Sequence, residues 1–285
     1  MTKLLRSLIF VPGNNPRFLE KAKNLLADIV CFDLEDSVPD SEKKKARKLI
    51  KDALKSRSKY SAQVYVRTNS PVSGKIPDDL QEIIQKGIDG VVVPKVNNIE
   101  EFKKIEKNLT ILEKKRKLSK IRIMPSIETA EGVINTHKIA SSSKRISALV
   151  FGVFDLLDDL GIEYRKQPEG AKLARAIIPL AAKAAGVFAL DAIWQDLKDE
   201  KGMLEDCKIG KSLGYVGKTL IHPDQISMTH KAFHPNKTEI AWAEKVCKTY
   251  QLLTKKGKGA TTVDGKMIDE VHYKRAKSLL EFVKN

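Results

Sequence analysis

Cysteine is scarce in this chain: three residues, Cys31, Cys207 and Cys247, none in a CxxC pair. An odd, scattered set excludes a disulfide framework and the paired-cysteine zinc motifs. Cys31 sits in an apolar run and reads as a core thiol. The five histidines (His137, His222, His230, His234, His272) form no HExxH pattern, which removes the common catalytic zinc signature as well. No uninterrupted apolar stretch approaches the roughly 20 residues of a membrane helix. The start, "MTKLLRSLIFVPG", lacks the longer apolar region and small-residue cleavage site of a secretion signal. The expectation is a soluble, cytoplasmic protein with no membrane partner. Acid is the charge in short supply, 36 Asp and Glu against 52 Lys and Arg, for a net charge of +16. The lysines are interspersed with glutamates at helical spacing, as in "EEFKKIEKNLTILEKKRKLSK", so they read as solvated helix faces. Aromatics are only 6% of the chain, and no basic run interleaves them or carries a nucleic-acid motif, so no nucleic-acid partner is expected.

What is present is a rhythm. Eight short apolar, β-branched runs alternate with longer amphipathic stretches: "SLIFVPG", "DIVCFDLED", "AQVYVRTN", "GVVVPKV", "IRIMPSIE", "ISALVFGVFD", "VFALDAIW" and "YVGKTLIHP". Their hydrophobicity is continuous rather than alternating, as in parallel strands buried on both faces. Eight such units within 285 residues predict an α/β fold, a (β/α)8 TIM barrel, over 1–225. The remaining 226–285 predicts a C-terminal helical extension: an amphipathic stretch, a glycine-bearing loop "GKGATTVDGKMID" and a final helix, with no strand partner.

Each apolar run ends in polar or breaking residues, among them Asp33, Glu35 and Asp36, Arg67-Thr68-Asn69, Pro94-Lys95, Glu128, Asp155, Asp191 and His222. In a barrel these ends converge on one mouth, where barrel enzymes place their chemistry. Glu128 and Asp155 leave consecutive runs. Two carboxylates so placed suit Mg²⁺, which takes oxygen ligands and keeps several waters; capping of the following helices is the other reading, and spacing leaves both open. Arg67 ends the third run, and its planar fork suits a carboxylate or a developing oxyanion. It would equally serve a structural ion pair with Glu35 or Asp36. Those acids, with Asp33, could ligate a metal or orient Arg67 and metal-bound water from behind. "FVPGNNPRFLEKA" is a turn leading into a helix that carries Arg17 and Lys21 four apart. It lacks P-loop spacing, and from spacing alone the two cations are solvated surface.

Taken in order, "RSLIFVPGNNPRFLEKA", "VCFDLEDSV", "VRTNS", "GVVVPKV", "PSIETAEGV", "ALVFGVFDLLDDLG", "SLGYVGKTLIHPDQI" and "DGKMID" resemble the citrate lyase beta-subunit-like family, which includes malyl-CoA and citramalyl-CoA lyases. The similarity covers essentially the whole chain. One departure stands at Val153 and Phe154, where relatives commonly carry a small residue and a glutamate before the aspartate. The resemblance implies Mg²⁺ on Glu128 and Asp155, substrate on Arg67 and Glu128, and coenzyme A phosphates on Arg17 and Lys21. It further implies a homo-oligomer, a trimer or a multiple of one. In it the tail of one subunit reaches another's barrel and supplies Asp269 as acid/base; as a residue, Asp269 reads only as a helix N-cap. The implied reaction is reversible cleavage of a β-hydroxyacyl-CoA to acetyl-CoA and a 2-oxo acid, with Lys95 structural or electrostatic. A citrate lyase beta subunit acting on a carrier-protein thioester, a malyl-CoA thioesterase and a non-catalytic polyanion-binding protein remain alternatives.

Overall fold

Valine, isoleucine and aromatic residues at consecutive positions leave a strand no solvent face, and the structure, a computed structural model describing residues 5–164, 168–255 and 259–283, buries most of these runs, with Arg122 and Phe188 exposed at the starts of theirs. They form β1 (Ser7–Pro12), β2 (Ile29–Asp33), β3 (Gln63–Arg67), β4 (Gly90–Val93), β5 (Arg122–Ile127), β6 (Ala148–Phe151), β7 (Phe188–Asp191) and β8 (Gly217–Leu220). Every neighbouring pair is parallel, and β8 closes on β1, giving a (β/α)8 barrel in sequence order. Helices return the chain between strands, for example Lys43–Leu54, Ile99–Arg116, Glu169–Ala184 and Glu200–Leu213.

Alternate strand residues point inward. Leu8, Ile29, Cys31, Tyr65, Val92, Met124, Ala148, Val150 and Leu190 fill the interior as one buried cluster, with Phe10 packed on it. Cys31 is therefore a core side chain, and burial pushes its thiol well above the usual range. The opposite parity faces the helices. There Asp191 and Lys218, both fully buried, meet Arg175 from the helix Glu169–Ala184 and Asp206 from Glu200–Leu213. Arg175 Nη1 donates to Asp206 Oδ1 at 2.7 Å and Nε to Asp191 Oδ1 at 3.0 Å, while Lys218 Nζ donates to Asp206 and Asp191. Burial opposes the charge on Lys218, yet the two aspartates hold its ammonium above its ordinary value.

The chain divides into two compact units, Leu5–Lys231 and a second that begins at Ala232. The boundary expected at 225/226 falls at the start of the helix Gln225–Phe233, and the contact-defined division comes after it begins. The second unit has the helices Lys237–Thr254 and Glu270–Val283 around a core of Ala243, Val246, Tyr250, Val263 and Ile268. The glycine-bearing loop expected here is instead a hairpin, β9 (Thr261–Val263) antiparallel to β10 (Lys266–Ile268). Asp264 and Gly265 sit at φ 49° and 75°, the left-handed pair that a two-residue hairpin turn requires, and Asp-Gly is its usual sequence.

Removing one partner of a buried ion pair strands the other, at about 3–5 kcal/mol. Asp206→Ala is expected to lower the free energy of urea unfolding by about 3 kcal/mol, read from the midpoint at unchanged slope; a loss below about 0.5 kcal/mol would show the network to be dispensable.

Candidate active site at the barrel mouth

The inward parity that fills the barrel continues past the strand ends. After Cys31 the next inward residue is Asp33, after Tyr65 it is Arg67, after Met124 come Ser126 and Glu128, and after Val150 comes Gly152. All of these except the core residues Cys31, Tyr65 and Met124 line one cleft of about 420 Å³, together with Phe10, Asp36, Phe154, Asp155 and Thr219.

Register sets the first contact. β2 and β3 pair Asp33 with Arg67, and the guanidinium grips that carboxylate with two bonds, Nε to Oδ1 and a terminal nitrogen to Oδ2, both 2.7 Å. Arg67 Nη1 also lies 3.2 Å from Glu35 Oε2 and 3.2 Å from Asp36 Oδ2. Its Cζ stands 4.6 Å from the centroid of the Phe10 ring, a cation–π contact. Burial would raise the Asp33 carboxyl, but Arg67, the Ser37 hydroxyl and the Glu35 N–H bring it down to about 2. Burial works against the Arg67 charge too; Asp33, Glu35 and Asp36 outweigh it and keep the guanidinium charged.

Glu128 follows β5 and is buried, 3% exposed. The Ser126 hydroxyl donates to its Oε1, and the Lys95 N–H to its Oε2 at 3.2 Å. The next helix is capped by Thr129, whose side chain accepts from Gly132 N–H, so Glu128 is free of the capping role. Asp155 lies in the first turn of the helix Val153–Asp159, whose N-cap is Gly152. Gly152 has a steric reason to lack a side chain: a Cβ there would come within 2.3 Å of Glu128 Cγ and 2.6 Å of its Oε1. Burial first, then the charge of Asp155, pushes the Glu128 carboxyl above its ordinary range; burial, with Glu128 and Asp36 nearby, does the same to Glu35. Lys95 spans this acidic group, with Nζ 2.8 Å from Asp155 Oδ1 and 3.4 Å from Glu35 Oε1. It holds φ at 51°, a conformation few non-glycine residues adopt, and so aims its own N–H at Glu128.

The donor set fits a hard divalent cation. Glu128 and Asp155 are two oxygen donors with excess negative charge, and the cleft lining holds neither histidine nor cysteine. Among the described residues no group of three or more His, Cys, Asp or Glu forms a complete metal cage. Few protein ligands with water in the other positions is the coordination habit of Mg²⁺.

Not every strand-end polar residue joins this cleft. Asp191 follows inward-facing Leu190, so parity turns it to the outer wall, where Arg175 and Lys218 neutralise it. Asn69 bonds Asp79 through its N–H at 2.7 Å and its Nδ2 at 2.8 Å, and His222 is absent from the lining. Arg17 and Lys21 are exposed on the short helix Pro16–Lys21, and neither lines the cleft. Asp269 belongs to the second unit and stands before the helix Glu270–Val283. Its Oδ1 accepts from Val271 N at 2.9 Å and from His272 N at 3.2 Å, and lies 2.6 Å from His272 Nδ1. The His272 hydrogen bond is the main reason its carboxyl lies below the ordinary value.

A family profile described as HpcH/HpaI aldolase/citrate lyase matches residues 6–223, the whole barrel. The chain belongs to this family. Its members are oxo-acid lyases and their close relatives, and this family member is an enzyme of that kind. It is 34% identical over 283 residues to citrate lyase subunit beta of Leuconostoc mesenteroides subsp. cremoris, covering 98% of this chain and 93% of that one. It is 32% identical to a (3S)-malyl-CoA thioesterase of Cereibacter sphaeroides over 275 residues, 96% of this chain and 93% of the relative. Among solved structures, CitE from Mycobacterium tuberculosis in complex with magnesium, acetoacetate and coenzyme A superposes with a TM-score of 0.82 at 26% identity, covering 98% of both chains.

Three residues in or beside this family member's cleft carry details that the sequence reading missed. Asp33, rather than Glu35 or Asp36, is the bidentate partner of Arg67; the signal was its position as the last inward residue of β2. Gly152 was visible as a glycine interrupting an apolar run, a mark of close approach. The left-handed backbone of Lys95 had no sequence signal.

The Asp33 carboxyl, at about 2 against an ordinary 3.8, binds protons less readily folded than unfolded. Its contribution is therefore present above about pH 4 and is lost as pH falls through 2, a difference of about 2 kcal/mol. Asp33→Asn is expected to be less stable than the parent at pH 6, with the gap narrowing by about 2 kcal/mol at pH 2 in urea unfolding; a gap independent of pH would contradict the pairing.

Proposed function

We propose that the protein is a Mg²⁺-dependent carbon–carbon lyase that reversibly cleaves a β-hydroxyacyl-CoA of the malyl-CoA or citramalyl-CoA type into acetyl-CoA and a 2-oxo acid. The observation that carries this reading is buried Glu128 with half-buried Asp155 beside Arg67 at the mouth of a barrel of this family. Glu128 and Asp155 would hold the ion, which when bound supplies Lewis-acid polarisation of the 2-oxo acid carbonyl. Arg67, fixed by Asp33 and kept charged by its three acidic neighbours, steadies negative charge developing on the reacting oxygens. Glu128 also borders the substrate. Asp33, Glu35 and Asp36 prevent the guanidinium from swinging away, so little reorganisation is needed in the transition state.

In the condensation direction Asp269 removes a proton from the acetyl-CoA methyl group, and the enolate carbon attacks the carbonyl carbon of the 2-oxo acid. In cleavage the hydroxyl gives up its proton to water and its oxygen becomes the carbonyl as the carbon–carbon bond breaks, the bond's electron pair passes into the thioester enolate, and Asp269 returns the proton to that carbon; in condensation the new alkoxide takes a proton from water. Its lowered carboxyl is ionised at neutral pH, as a base requires. In this reading a barrel domain, 1–225, works with an extension, 226–285, that brings Asp269 to a neighbouring subunit's barrel in a cytoplasmic homo-oligomer, a trimer or a multiple of one. Arg17 and Lys21, exposed after β1, contact the coenzyme A phosphates. The likeness to citrate lyase subunit beta favours one second reading, the same cleavage on a carrier-protein thioester.

Purified protein incubated with malyl-CoA or citramalyl-CoA is expected to release glyoxylate or pyruvate, trapped as the phenylhydrazone, with Mg²⁺ and not with EDTA. Arg67→Lys is expected to lower turnover by about 10²–10³-fold. Asp269→Asn should abolish turnover and leave Mg²⁺ binding unchanged. No release from either thioester by folded, Mg²⁺-loaded protein would move the assignment to the carrier-protein substrate; normal turnover by Asp269→Asn would remove that residue from the chemistry.

A further inference from the structure

The cleft lining combines charged groups with hydrocarbon. Phe154, next to Asp155, lines the cleft and packs its ring on Tyr164, with centroids 4.5 Å apart and planes at 32°. Val150, Phe151, Val153, Ile193 and Ile221 extend the apolar lining. Among the described lining residues Arg67 is the one cation, and Asp33, Glu35 and Asp36 already engage it. Lys95, close by, is held by Asp155 and Glu35. The acids Asp33, Glu35, Asp36, Glu128 and Asp155 outnumber these two cations, and both cations are already engaged. A substrate can therefore bring one carboxylate, to the ion and Arg67. A second would face Asp36, Asp155 or bare hydrocarbon, and an unpaired carboxylate in such surroundings is costly to desolvate.

We infer that the 2-oxo acid handled here is a monocarboxylate with a short alkyl group on its carbonyl carbon, and that Phe154 is the residue that sets this preference. The matching thioester carries that alkyl group on the carbon bearing the hydroxyl. The inference rests on the lyase reading for its substrate and on the apolar lining for its direction. Phe154 acts by offering the alkyl group a dry surface, while a hydrogen or a carboxylate in that place forgoes the contact or opposes it.

The test uses full-length protein with Mg²⁺ and calorimetric titration of two matched pairs. Pyruvate against glyoxylate differs by a methyl group; 2-oxobutyrate against oxaloacetate exchanges a terminal methyl for a carboxylate. The alkyl member of each pair should bind at least about 10-fold tighter, the discrimination that one methyl-sized contact in an apolar pocket provides. Phe154→Ala should bring the pyruvate-to-glyoxylate ratio close to one, and Phe154→Leu should keep most of it, with Mg²⁺ affinity unchanged in both. Citramalyl-CoA should be cleaved with a higher kcat/KM than malyl-CoA by a similar factor. Equal binding within the pairs, or a ratio untouched by Phe154→Ala, would overturn the inference even where both thioesters are cleaved. A clear alkyl preference without any thioester cleavage would sustain it and sink the coenzyme A-thioester lyase reading instead.

Discussion

Crowded negative charge at the barrel mouth is the constraint on which the rest of the site depends. Asp33, Glu35, Asp36, Glu128 and Asp155 gather around two cations, Arg67 and Lys95, in surroundings that are largely buried. Such an arrangement would disperse in a loose loop. Here three of its members stand at strand ends or one residue beyond, and the hydrogen bonds of a closed parallel barrel fix their backbone. Paired with Asp33 in the ladder, Arg67 discharges the part of the repulsion nearest to it. What stays uncompensated lies at Glu128, where burial and Asp155 act together, and that residual charge is what makes a divalent cation a fitting guest.

The same parity rule explains both the core and the site. Inward residues below the mouth are apolar and close the barrel floor; the next inward residues are ionisable and open to the cleft. Outward residues of β7 and β8, Asp191 and Lys218, carry charge just as well but meet charged partners from the covering helices. Chemistry and stability are thus served by neighbouring positions on the same strands. Gly152 shows how tightly the two are joined, since its missing side chain is the space in which the Glu128 carboxylate lies.

Much of this was legible in the sequence, because continuous β-branched runs, repeated eight times with helical spacers, admit few other architectures. The end of each run marks the mouth, and Arg67, Glu128 and Asp155 stand at such ends in the sequence itself. Which strand ends turn inward was not legible: Asp191 and Glu128 look alike in sequence and differ by a single step of parity. The identity of the Arg67 partner depended on register, which no run of residues states. In the tail, the Asp-Gly of "TTVDGKMI" was a readable hairpin signal that the flanking glycines and lysines obscured. Asp269 and its hydrogen bond to His272 look like an ordinary helix start, and only likeness to other proteins gives the residue a further role.

The central claim, that Glu128 and Asp155 form a divalent-cation site created by crowded negative charge, is tested most directly by binding alone. Mg²⁺ would be titrated into the metal-stripped protein while its thermal unfolding midpoint is followed, for the parent chain and for Glu128→Gln. At 100 times the dissociation constant a single site adds about 2.7 kcal/mol, enough to raise the midpoint by several degrees. The account predicts that saturable rise in the parent and its loss in Glu128→Gln. An unmoved midpoint in the parent, or an equal rise in the variant, would contradict it.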